Sequence, residues 1–185
     1  MRVSFTIGIA LIALVFLSQS ANGQTRIWDG GGLTNNWSEA ANWSDDTAPV
    51  NGNGVLFDST STKNCIIDIA ALFPNSVINV NAGYNGTISV AAGVNVQFGF
   101  NTTIAGGTLN LADGFFDIGG TSGLFTLNGG TINAGSGPLT IRLFFQNGGT
   151  FNGSTGTIRP GSDRSSGIAD QMANSYLCLF AVVRC

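Results

Sequence analysis

The sequence predicts an all-β fold: a short right-handed parallel β-helix with an aromatic amino-terminal cap. Three observations predict it. Apolar and polar residues alternate over short runs, a Gly-Thr word returns at a nearly fixed interval, and the stretch carrying both is almost free of charge.

The alternation comes first. Val94-Asn95-Val96-Gln97-Phe98-Gly99-Phe100 and Leu139-Thr140-Ile141-Arg142-Leu143 switch character at every step, and Cys65, Ile67 and Ile69 share one phase. Period two over short runs bounded by Gly and Asn specifies strands with one buried face. Recurrent Gly and β-branched residues oppose helix in the same stretch.

The repeat arranges these strands. Tyr84-Asn85-Gly86-Thr87-Ile88-Ser89 matches Gly106-Gly107-Thr108-Leu109-Asn110, Gly129-Gly130-Thr131-Ile132-Asn133 and Gly148-Gly149-Thr150-Phe151-Asn152. Thr87, Thr108, Thr131 and Thr150 lie 21, 23 and 19 residues apart. A period near ~20 residues is that of a solenoid winding, and drift in its length belongs to the turns. Windings stacked ~4.8 Å apart put like residues in columns, so Ile88, Leu109, Ile132 and Phe151 are expected inside. The preceding glycines permit the positive φ of a sharp corner. An antiparallel sandwich would also alternate, but it gives no reason for one word to recur at one place in each unit.

Low charge agrees with stacking. Between Lys63 and Ile158 only Asp68, Asp113, Asp117 and Arg142 are charged. Like charges in one column would lie within ~5 Å of each other, so a solenoid avoids them.

Flanking segments complete the organisation. Arg2, an apolar run from Val3 to Leu17, and small residues at Ala21 and Gly23 read as a secretory signal over 1–23. That run falls short of the ~20 residues a membrane span needs, and no other segment of the mature chain reaches that length. Residues 24–62 form the expected cap region, 63–158 the coils, and 159–185 a tail of different composition. In the tail Ile168, Met172, Tyr176 and Phe180 recur at every fourth position. They suit a helix plugging the core, while the break in style equally suits a truncated end.

Composition excludes several functions. Without Arg2 the chain has 6 basic and 10 acidic residues, a net charge of −4. No basic patch exists to neutralise phosphates, so neither nucleic acid nor anionic lipid is an expected partner. Three cysteines, Cys65, Cys178 and Cys185, do not make a disulfide framework. Cys65 is expected in the core, and Cys178 and Cys185 can pair with each other in an oxidising compartment.

All three tryptophans lie in the cap region. It reads Ile27-Trp28-Asp29-Gly30-Gly31-Gly32, Asn35-Asn36-Trp37-Ser38, Ala41-Asn42-Trp43-Ser44, then Ala48-Pro49-Val50 and Val55-Leu56-Phe57. Together with the Gly-Gly-Thr words, this resembles bacterial repeat-built β-helix surface proteins of the adhesin and autotransporter-passenger kind. The resemblance covers residues 26–158 in pattern and implies an exported structural or adhesive protein. Its partners would be glycans or other surface proteins, and the chain is short for the group, as a fragment would be. Trp28, Trp37 and Trp43 have two readings: rings closing the open end of the solenoid, or a glycan-stacking platform.

No catalytic residue, cofactor or metal site is expected. Histidine is absent, which removes His triads and His metal sites. Asp113 and Asp117 are the only close carboxylates in the coils; they read as a turn residue and a solvated strand position rather than an acid–base pair. Asp45, Asp46 and Asp58 flank a Gly/Asn-rich loop whose spacing matches no Ca²⁺-binding loop. The single threonine per winding reads as a corner ladder rather than an ice-binding face. The rival function is a secreted carbohydrate-binding or polysaccharide-degrading module on the same scaffold.

Overall fold

A computed structural model describes residues 23–160 apart from 119–122, 142 and 154, with the backbone alone at 158–160. The expected signal over 1–23, save Gly23 itself, and the expected tail helix at Ile168, Met172, Tyr176 and Phe180 lie outside the described residues. Within them the chain is all-β, and its one helical turn is a short 3-10 segment, Ala40–Asn42.

The strands follow one another in a fixed rotation. After β1 (Gly23–Ile27) come β2 (Asn53–Phe57), β3 (Cys65–Ile67) and β4 (Ala71–Phe73). The next winding holds β5 (Val77–Val80), β6 (Thr87–Val90) and β7 (Val96–Phe98). Then follow β8 (Thr102–Ile104), β9 (Thr108–Asn110) and β10 (Phe116–Ile118). They are succeeded by β11 (Leu124–Leu127), β12 (Thr131–Asn133) and β13 (Leu139–Ile141). β14 (Leu143–Gln146), β15 (Thr150–Asn152) and β16 (Ile158–Pro160) end the described chain. Each third strand stacks on its predecessor, giving three parallel sheets: β1-β2-β5-β8-β11-β14, β3-β6-β9-β12-β15 and β4-β7-β10-β13-β16. This is the parallel β-solenoid that the alternation and the repeat predict.

Register makes the columns. Cys65, Ile88, Leu109, Ile132 and Phe151 align through the second sheet, with Thr87, Thr108, Thr131 and Thr150 beside them. In the first sheet Phe57, Val80, Ile104 and Leu127 form one inward column. In the third, Phe73, Phe98, Ile118 and Ile141 form another. Of these thirteen inward residues, all but the half-buried Phe151 are buried, and a fully buried Val, Leu, Ile or Phe contributes about 1.5–3 kcal/mol relative to exposure. The unequal spacing of the repeat words vanishes into the turns, as a stacked design requires.

Glycine is needed where the corner meets the winding below. Gly107, Gly130 and Gly149 have φ of 61°, 70° and 69°, a region costly for other residues. A Cβ on Gly130 would also lie 2.5 Å from the Gly106 carbonyl oxygen.

One boundary falls elsewhere than expected. The stack already includes β1 and β2, which lie almost wholly in the segment assigned to the cap. The repeat word is absent there, so only the strand pairing reveals that these residues belong to the solenoid. The intervening residues bond to the edges of two sheets. Ser44 N–H donates to Ile27 O (2.9 Å), Trp37 N–H to Ile66 O (2.8 Å) and Ile66 N–H to Asn35 O (2.7 Å).

Candidate functional site

The tryptophans are core, and this corrects their reading as a glycan-stacking platform. Trp28, Trp37 and Trp43 are each 0% exposed. A sugar needs an open indole face, and none of the three offers one. Trp37 meets Trp43 edge to face with centroids 4.7 Å apart, and Trp28 meets Trp43 at 5.2 Å. The rings run on into Phe57, Phe73 and Phe98. Sequence alone gives three amphipathic rings among polar residues; which way each faces depends on strand pairing.

A polar network that sequence reasoning missed holds the loop carrying these rings. Asn42 is fully buried, and its amide nitrogen donates to the carbonyls of Thr34 (3.1 Å) and Asn36 (2.9 Å). Its oxygen accepts from Gly32 N–H (3.1 Å) and Lys63 Nζ (3.0 Å). Lys63 Nζ also donates to the carbonyls of Gly30 and Gly32 at 3.1 and 2.6 Å. Glu39 accepts from the Thr34 hydroxyl and from the N–H groups of Leu33 and Thr34. Those bonds, the hydroxyl's first, hold its carboxyl below the ordinary value. The contacts span up to 33 residues, so no local motif announces them. Every group has its partners, and the network fits an architectural role.

The carboxylates weighed for chemistry are occupied separately. Asp113 accepts from Gly93 N–H (2.7 Å) and Asp117 from Gln97 Nε2 (2.9 Å). Asp45 pairs with Arg26 and accepts from Gln24, while Asp58 accepts from Thr60 N–H. Among the described residues no three metal-ligating side chains gather. Cys65 is buried and unpaired among them, and desolvation pushes its thiol well up. Tyr84, also buried, donates to Lys63 O at 2.8 Å, and burial raises its phenol.

Two outward features remain. On the second sheet, Ser89, Asn110, Asn133 and Asn152 form a column beside the threonines. Asn133 Nδ2 donates to Asn110 Oδ1 (2.6 Å), and Asn152 Nδ2 donates to Asn133 Oδ1 (2.5 Å). On the first sheet, a cleft of about 160 Å³ lies over the amino-terminal ends of β1, β2 and β5 and the bend at Phe100. Its wall includes Phe100, which is 46% exposed. No described helix is long and apolar enough to cross a membrane.

Comparison with known proteins adds no relative: no family model, curated protein or solved structure matches this chain.

Proposed function

We propose that this chain is an exported bacterial cell-surface or extracellular protein with a structural or adhesive role and no catalytic activity. The observation that carries it is the stack itself: three parallel sheets, the second of which turns outward one column of Thr and one of Ser and Asn. Such a body is rigid along its axis and presents a regular face. Two further features support the reading. The signal-like amino terminus suits export, and the carboxylates closest in the coils are tied to separate partners rather than turned on one reacting centre. The partners that fit are neutral glycans and other surface proteins; the acidic balance disfavours nucleic acid.

Surface shaving tests it. Intact cells of the source bacterium treated with protease should lose the protein, and the culture medium or outer surface fraction should hold it. Recovery only from the protease-protected cytoplasm sinks the proposal.

A further inference from the structure

The geometry points to a binding site for one neutral sugar ring in the cleft bounded by Phe100, Asn53, Asn75 and Thr25. The inference rests on the adhesive reading above and gives it a ligand class.

Three features converge there. The first is shape. The cleft's volume, about 160 Å³, is well below the ~300 Å³ at which drug-sized pockets begin, so it suits a single ring rather than a long ligand. Glycine opens it: Gly52 and Gly54, both beyond the expected signal, line the floor. A Cβ on Gly54 would sit 3.1 Å from Thr25 Oγ1 and 3.7 Å from Val77 Cγ1.

The second is an aromatic wall. Phe100 is half-exposed where inward rings such as Phe98 are fully buried. Its backbone is fixed, because Phe100 N–H donates to Ser76 O at 3.2 Å and Phe100 O accepts from Thr102 Oγ1 at 3.4 Å. The negative face of a phenyl ring attracts the polarised C–H face of a pyranose, and covering it removes apolar area from water.

The third is a neutral polar rim. Asn53 Oδ1 accepts from Val50 N–H (3.0 Å) and Arg26 Nε (3.3 Å), which fixes the side chain and leaves its amide nitrogen as the donor end. Arg26 is itself paired with Asp45. Asn75 is exposed, and its N–H donates to Asn51 Oδ1 at 3.0 Å. Buried Ser76 accepts from Gly52 N–H at 2.9 Å and holds the corner below. Amides and a hydroxyl beside one ring face are groups that read sugar hydroxyls, and among the described residues no charged side chain lines the cleft to attract uronates or sulfates.

A glycan array with the purified full chain, followed by calorimetric titration of the best hit, tests the site. A neutral terminal sugar should bind, with Phe100→Ala weakening it at least about tenfold, Asn75→Ala weakening it less, and Phe100→Trp retaining it. Phe145→Ala removes the other exposed phenyl ring among the described residues and should leave binding and melting unchanged. Binding that survives Phe100→Ala overturns the site, as does an array in which no neutral sugar is captured or only acidic glycans are. Surface shaving is independent: a protein shaved from cells yet blind to neutral sugars loses the cleft and keeps the adhesive role.

Discussion

Trp43 and Trp37 sit side by side yet differ in one hydrogen bond. Trp43 Nε1 donates to Trp37 O at 2.8 Å, whereas Trp37 Nε1 is buried with no partner among the described residues. A phenylalanine at 43 therefore leaves a buried carbonyl short of its donor, while a phenylalanine at 37 removes a donor that already lacked an acceptor. Trp43→Phe should cost about 1 kcal/mol more than Trp37→Phe in denaturant unfolding. Equal losses would show that the ring volumes alone matter. Glu39 supplies a pH test. Its carboxyl is lowered in the folded chain, so its contribution is complete above the unfolded carboxylate value and disappears as pH falls through the folded one. Acid titration should loosen the 29–43 loop in that window, and Glu39→Gln should abolish that pH dependence. An unchanged profile in the variant would assign the transition to another carboxylate.

At the scale of the element, the corners and ladders set the register. Gly130→Ala meets both a positive φ and the carbonyl of Gly106. It should lose at least about 1–2 kcal/mol in thermal or denaturant unfolding. Retained stability would mean the corner can flatten without disturbing the winding beneath. The asparagine ladder makes a second demand. Asn133 gives a hydrogen to Asn110 and takes one from Asn152. Asn133→Asp has nothing to give and sets a charged oxygen against Asn110 Oδ1, so a loss of about 1 kcal/mol at neutral pH is expected. Recovery on acidification would identify charge as the cause. A ladder on an exposed face suits a solenoid because each amide sits one rung above an identical group.

Across the whole molecule, protection should be uneven. The strands from β5 to β12 carry buried residues on every inward position, but β14 has only half-buried Leu143 and Phe144, with Phe145 and Gln146 exposed. β15 has one half-buried residue, Phe151, between exposed Thr150 and Asn152. Native-state hydrogen exchange should therefore be slowest in the central windings and faster at β14 and β15. Uniform protection would show that the last described winding is covered from outside it. The stack also explains why the cleft takes residues from three strands and the turns beside them, spread over residues 23–100.

Much of this was legible in the sequence. Alternation fixes which face of a strand is buried, and a word repeated at equal phase fixes which residues share a column; both are local properties that survive without knowing the fold. Hence the column through Ile88, Leu109, Ile132 and Phe151 and the core position of Cys65 were readable. What tertiary structure alone decided involves contacts between segments that share no pattern. The burial of Trp28, Trp37 and Trp43 depends on pairing across a long loop, and the Asn42–Lys63–Glu39 network joins residues far apart in the chain. Strands β1 and β2 lack the repeat word, and the Phe100 cleft depends on glycines and an outward ring that meet only when the windings stack. Periodicity encodes neighbours one winding apart; it carries no information on irregular segments, whose placement is set by hydrogen bonds and packing that only the folded chain creates.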